Sequence, residues 1–281
     1  MVDFWLFFVE AIPLAILIGI AAACIGYTAW GIMVPLLFVG FGFGIFDAIV
    51  ISLMVDFVNS IILTGKYSKQ DKVDFKEGTK WGLLSLSGAI IAAFFAISIL
   101  PSNEEFLRGN VGYVFFLLSA FFIYRGYNLG KQQENNDFID KKKMSIGLSN
   151  KTKTAVMIVG VLGSGILSGL LGIGSGANYA LLFLFILGAE GGFDILRATG
   201  TSCYIMAMVS GTLAIIFSVV GLANFGLILP FLAVGIIFSA IGTIFGSSIA
   251  LKVSESKLNY LVGIAILITA LVSSLQAIML N

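Results

Sequence analysis

The sequence has no histidine, only two cysteines, and charged side chains at just 11% of its 281 positions. A water-soluble chain carries roughly 25% charged residues, so this one lacks the polar atoms needed to clothe a surface in water. Without histidine, it shows no metal-ligand cluster. It also shows no paired aspartates in a protease-like motif for facing helices. Catalysis within a membrane is therefore not expected, and no cofactor or metal is implied. Cys24 and Cys203 both lie in apolar stretches far apart in sequence, which suits buried structural thiols better than a disulfide. A net charge of +1 gives no basic field for nucleic acid. Lys and Arg are missing ahead of the first apolar run, and no small-residue cleavage site follows it. The expectation is a retained first helix rather than a removable leader.

What the chain does have is apolar length. Hydrophobic residues make up 59% of it, and the mean hydropathy is +1.05. Polarity is gathered into two patches, Lys66–Lys80 and Arg125–Lys153, between long apolar runs. Backbone in lipid must satisfy its own hydrogen bonds, which leaves helices or closed barrels. Barrel strands alternate apolar and polar residues, whereas Gly82–Leu100, Val111–Ile123 and Leu261–Leu280 are apolar on every face. The fold class expected is an all-α membrane protein, a polytopic helix bundle.

A span needs about 20 apolar residues. On that measure helices fall near 42–64, 79–100, 107–129, 191–219, 226–251 and 258–280. Two segments, 10–40 and 154–187, are too long for one crossing of a core about 30 Å thick. Each is interrupted midway, the first by Gly26-Tyr-Thr-Ala-Trp-Gly31 and Pro35, the second by Gly172-Ile-Gly-Ser-Gly176. They are either steeply tilted or folded as broken, re-entrant helices.

The two halves correspond. Gly26 pairs with Gly172, Thr28 with Gly174, Trp30 with Gly176 and Pro35 with Leu181. Ala48–Ser52 matches Ala198–Ser202, and Ser60 matches Ser210. The domains expected are a first membrane repeat over 1–130, a linker over 131–153 and a second repeat over 154–281. If each broken segment crosses once, the halves are parallel and 12 of the 16 Lys and Arg share a side. If each enters and returns on one side, the halves are inverted and 15 of the 16 do, which favours the inverted arrangement. Loops 65–80, 125–153 and 252–257 and Arg197 then share a side, and only Arg108 lies opposite. Lysine and arginine mark the cytoplasmic side, so the inverted arrangement places loops 65–80 and 125–153 in the cytoplasm of a multi-pass cell-membrane protein.

Interrupted helices in matching positions of inverted halves point to a secondary transporter with its site at the breaks. A break frees backbone N–H groups, and glycine lets that backbone approach a ligand closely. The run Gly172, Gly174, Ser175, Gly176 and Asn178 offers amides, a hydroxyl and a carboxamide to an anion, opposite Gly26 and Thr28. The bland alternative is helix packing, which suffices for Gly165-xxx-Gly169 and Gly242-xxx-Gly246. Asp56 lies mid-helix, where a carboxylate is costly and suits proton coupling or cation binding. Asn59, one turn away, shares its face. Ser52 and Ser202 are candidate hydroxyl donors, unless they bond their own helix carbonyls. Asp47 and Arg197 sit near helix ends, as interfacial or snorkelling charges do.

The segment Gly169–Gly176 (Gly-Leu-Leu-Gly-Ile-Gly-Ser-Gly), Ala198-Thr-Gly-Thr-Ser202 and Gly221-Leu-Ala-Asn-Phe-Gly226 together resemble the sulfite exporter TauE/SafE family of permeases. That family carries a glycine run leading to Val-Pro-x-Leu in both halves, followed by an Ala-x-x-Thr-Ser stretch. Here Val34-Pro35-Leu36 is kept. Thr28, Ala29 and Trp30 replace the glycine triplet of the first half, and Leu181 stands where the second half would have proline. The resemblance implies a permease for a small sulfur-containing anion, sulfite or an organosulfonate; the paired breaks point to alternating access, and Asp56 with Asn59 to coupling to protons or a cation. An anion channel and a non-transporting membrane subunit remain as alternatives. The lipid bilayer is the expected surrounding, and the sequence leaves the oligomeric state open.

Overall fold

A computed structural model describes residues 4–25, 28–100, 149–188, 193, 195–220 and 223–249, with isolated positions between 119 and 131 and between 256 and 271. The predicted helices near 107–129 and 258–280, and Gly26, lie outside these residues apart from the isolated positions. Every element described is helical: α1 (Phe4–Ile25), α2 (Trp30–Val34), α3 (Ile45–Ser68), α4 (Phe75–Ile99), α5 (Asn150–Leu171), α6 (Gly176–Leu182), α7 (Ile195–Val219) and α8 (Phe225–Ile249). Runs of π-helix over Pro35–Gly40 and Phe183–Leu187 extend α2 and α6. Among the described residues, five helices are long and apolar enough to cross a membrane.

Several helices run past the apolar stretches that announced them. Residues 65–68 and 75–80 read as loop, yet α3 continues to Ser68 and α4 begins at Phe75. Likewise α5 starts at Asn150, inside the stretch read as linker. For α4 and α5 the cause is N-capping. The Asp74 carboxylate accepts from the Glu77 amide, and the Ser149 hydroxyl from that of Thr152. These caps satisfy orphan N–H groups and start each helix a turn or more before its hydrophobic run.

Both broken segments are observed. α1 ends at Ile25 and α2 starts at Trp30; α5 ends at Leu171 and α6 starts at Gly176. Gly172 ends α5 at φ +72°, a left-handed backbone that glycine adopts without Cβ strain. Ser175 is also left-handed, at φ 54°. Its hydroxyl donates to the Ser164 carbonyl at 3.2 Å and accepts from Ser168 at 2.8 Å, which offsets that strain. α2 or α6, with its π-helical run, is about a dozen residues, too short to span a core of about 30 Å.

Close backbone contacts fix helix directions. A Cβ on Gly165 would collide with the Ser85 carbonyl and one on Gly169 with that of Ala89, so α5 runs parallel to α4. Gly242 and Gly246 meet Ile16 and Ile20 in the same way, making α8 parallel to α1. The glycine pairs are therefore packing sites, with backbones in van der Waals contact. α3 runs alongside α8, with Asn59 on Ser239 and Lys66 on Ser247. α7 runs alongside α4, with Tyr204 against Gly78 and Met208 against Gly82. Between these sets the direction reverses: Tyr67 of α3 meets Gly200 of α7, and Phe57 meets Gly211.

The chain also returns after the second break. Asn150, Lys153, Thr154 and Met157 at the start of α5 line a cleft of about 250 Å³ with Leu187 and Phe193 from the far end of the segment. Both ends of that hairpin thus reach one end of the bundle, where Glu77, Lys80 and Trp81 of α4 complete the cleft. Arg197 pairs with Asp74 at 2.8 Å at the same lysine-rich end. Asp47, at the start of α3, accepts from the Asn224 amide at 2.8 Å at the opposite end.

Candidate functional site

α3 is the most enclosed of the candidate spans, with 72% of its best apolar window buried. Asp56 lies at its middle, fully buried. A carboxylate there needs hydrogen bonds to be tolerated at all, and the first break supplies them. The Ala29 amide donates to Asp56 Oδ1 at 2.6 Å, and the Thr28 hydroxyl donates to Oδ2. Thr28 Oγ1 in turn accepts from the Trp30 amide at 3.3 Å and the Gly174 amide at 3.2 Å. One hydroxyl therefore joins the first break, the second break and the carboxylate.

Gly174 owes its place at this junction to having no side chain. A Cβ there would lie 2.5 Å from Asp56 Oδ2 and 3.0 Å from Met206 Sδ. Met206 stands on α7 where Asp56 stands on α3, by the offset that relates Ser52 to Ser202. The two helices present an acid and a thioether to the same glycine.

The other candidate residues distribute as follows. Gly172 packs against Ile49 of α3. Gly176 is the first residue of α6 and is buried. Asn178 is exposed, so its carboxamide does not join the cluster; its amide donates to the Ser175 carbonyl at 3.1 Å. Ser202 donates to the Thr199 carbonyl of its own helix at 2.8 Å. Ser52, at the matching position of α3, is fully buried and its hydroxyl has no hydrogen-bond partner. Asn59 donates to Ser239 at 2.6 Å, while its Oδ1 is unpartnered. Thr28, Asp56 and Gly174 are thus brought together, with Ser52 one helical turn from Asp56. Ser175 bonds within its own hairpin.

Two features escaped the sequence reading. Tyr179 is fully buried in α6, and its hydroxyl shares a 2.5 Å hydrogen bond with Ser85 of α4, tying the hairpin to the bundle. The only signal was an aromatic with a polar tip inside an apolar run. The second feature is that Asp56 takes up donors at the first break. The broken segment and the buried acid were each legible, but their contact joins residues 28 and 56 through tertiary structure alone.

A helical bundle with membrane-length apolar helices, two interrupted segments and a buried acid at their meeting point has the architecture of a multi-pass membrane transporter. The profile of the sulfite exporter TauE/SafE family matches residues 11–273, and the chain belongs to that family. A probable membrane transporter protein of Methanocaldococcus jannaschii is 27% identical over 179 residues. That stretch covers 60% of this chain and 60% of the relative, so the chain spans less than two thirds of the length of the curated protein it matches. No solved structure matches the chain.

Proposed function

We propose that this protein is a secondary permease for a small sulfur-containing anion, sulfite or an organosulfonate, and that substrate competes with the Asp56 carboxylate for one set of donors. The observation that carries this reading is the hydrogen-bond chain from Gly174 through Thr28 to Asp56. The Ala29 and Gly174 amides and the Thr28 hydroxyl form a small, largely dry donor set. Two anions cannot share it, because repulsion at a few ångströms is severe where water is excluded. A proton on Asp56 discharges the resident carboxylate and frees Thr28 and Ala29. An oxyanion then takes those donors, with the unpartnered Ser52 hydroxyl one turn along α3. One proton and one negative charge move together, so the site is never doubly negative.

Matching helices run in opposite directions: α1 and α5, α3 and α7, α4 and α8. That supports reading 1–130 and 154–281 as inverted repeats joined by 131–153. Alternating access follows when the two hairpins rock about their shared junction. The lysine-rich end, with Lys66, Lys72, Lys80, Lys153 and Arg197, is assigned to the cytoplasm on its charge, in the cell membrane.

The test is thermal unfolding of the purified protein with sulfite, thiosulfate, sulfate, taurine, isethionate, sulfoacetate and simple carboxylates. A ligand at a hundred times its Kd stabilises the folded state by about 2.7 kcal/mol. At least one sulfur oxyanion is expected to raise the Tm, more strongly at acid than at alkaline pH. A response to carboxylates alone, or to none of these anions, would remove the substrate assignment.

A further inference from the structure

Five positions of α3 repeat every fourth residue: Ser52, Asp56, Ser60, Thr64 and Ser68. In a helix, residues four apart are neighbours, each step turning about 40° around the axis, so these polar groups wind along α3 from the middle of the bundle towards its lysine-rich end. A buried hydroxyl on a helix ordinarily donates to the carbonyl one turn back. On α7 Ser210 donates to the Met206 carbonyl at 2.6 Å and Thr212 to that of Met208 at 2.8 Å, while the buried Ser218 hydroxyl is unpartnered. On α3 the hydroxyls of Ser60 and Thr64 are buried and bond to no other protein atom, and Asn59 Oδ1 beside them is equally unpartnered. Ser60 matches Ser210 in the other half, so sequence position alone does not explain the difference. On α3, the helix that carries the acid, the Ser52, Ser60 and Thr64 hydroxyls are unbonded. On α7, the helix that carries Met206, Ser210 at the position matching Ser60 turns onto its own backbone.

Buried polar atoms without protein partners are held by internal water. The spacing suits it. Four residues rise about 6 Å, and two hydrogen bonds of about 2.8 Å through one water cover nearly that distance. We infer that Ser60 and Thr64, with the Asn59 side-chain oxygen, hold a single file of waters that carries protons between the lysine-rich end of the bundle and Asp56. This inference rests on the proposed coupling role of Asp56 and adds the route by which the proton arrives. The transfer balances at each step: a water at the Ser68 end gives a proton inward, each hydroxyl accepts one on its oxygen and releases its own, and the last water protonates Asp56. Titratable groups on the elements around the file include the buried Cys203 thiol of α7, Arg197 of α7 paired with Asp74, Tyr204 of α7 bonded to Thr79, Tyr179 of α6 bonded to Ser85, and Tyr67 of α3, which donates to the Ala23 carbonyl. Lys66 stands beside the outer end, its ammonium held by the Ile244 carbonyl and by Ser247 and Ser248 of α8.

The experiment needs no substrate. Infrared spectra of the protein in lipid, at acid pH, contain a protonated-carboxyl band assigned to Asp56 by its loss in Asp56→Asn. Its shift after transfer to D2O times proton access to that one group. Ser60→Val and Thr64→Val, nearly isosteric with threonine, are each expected to slow the shift at least tenfold. Ser60→Thr and Thr64→Ser should keep the wild-type rate. Amide exchange in the same spectra reports whether the fold is intact; Thr64, only partly buried, serves if Ser60→Val does not fold. Unchanged exchange in the valine variants overturns the water file, as does the absence of any Asp56 carboxyl band in the folded protein. The competition of anions with Asp56 fails separately, when sulfur oxyanions do not bind.

Discussion

Replacing Gly174 with leucine is expected to lower sulfonate uptake into proteoliposomes at least a hundredfold while the protein still folds and inserts. The introduced Cβ alone would lie 2.5 Å from Asp56 Oδ2 and 3.0 Å from Met206 Sδ. The second break must then move off α3, and the Gly174 amide loses Thr28. A hundredfold loss corresponds to about 2.7 kcal/mol, within what overpacking and a lost buried hydrogen bond together supply, each about 1–3 kcal/mol. The fold survives because its largest helix contacts lie elsewhere, with α5 on α4 and α8 on α1. Gly163→Leu is the control. It lies on the same segment, a Cβ there meets nothing within 4 Å, and transport should be unaffected. Retained uptake in Gly174→Leu would separate the junction from transport altogether.

Asp56→Asn should abolish the effect of a proton gradient on transport without abolishing binding. Asparagine keeps an oxygen that accepts from Ala29 but is neutral at every pH, so the donors are never held by a resident anion. Isethionate is a good probe because its sulfonate keeps one negative charge across the pH range. In the wild type, an inward proton gradient is expected to accelerate isethionate uptake tenfold or more. In Asp56→Asn the rates with and without the gradient should agree within about twofold. Asp56→Leu differs instructively, since it strands buried donors that are costly to leave unpaired, and its loss of function would say nothing about protons. Persistent acceleration in Asp56→Asn would return Asp56 to a structural role.

The sequence makes the bundle legible because hydropathy measures the thickness of the lipid core. It does not mark helix ends. α4 begins at Phe75 rather than near 79 because Asp74 caps a charged first turn that lies beyond the apolar run. α3 likewise continues to Ser68, its last turn carrying Lys66 past the apolar run. The breaks are readable wherever backbone chemistry is local: Gly172 at positive φ and the Gly-Ile-Gly-Ser-Gly run announce a turn by themselves. Pairing across the fold is not local. Nothing in Thr28 foretells that it accepts from Gly174 and donates to Asp56. Ser52 and Ser202 show the same limit. They occupy matching positions, yet one hydroxyl bonds its own helix and the other has no partner, a difference set by neighbouring elements rather than by either residue.

The central claim is that substrate and the Asp56 carboxylate are rivals for the donors of Thr28, Ala29 and Gly174. Proton uptake on binding tests it most directly, measured with a pH-indicator dye in weakly buffered solution as a saturating sulfonate is added to purified protein. Up to one proton taken up per sulfonate bound by the wild type, and none by Asp56→Asn, is the expected result. Sulfonate binding to the wild type with no proton uptake at any pH would contradict it.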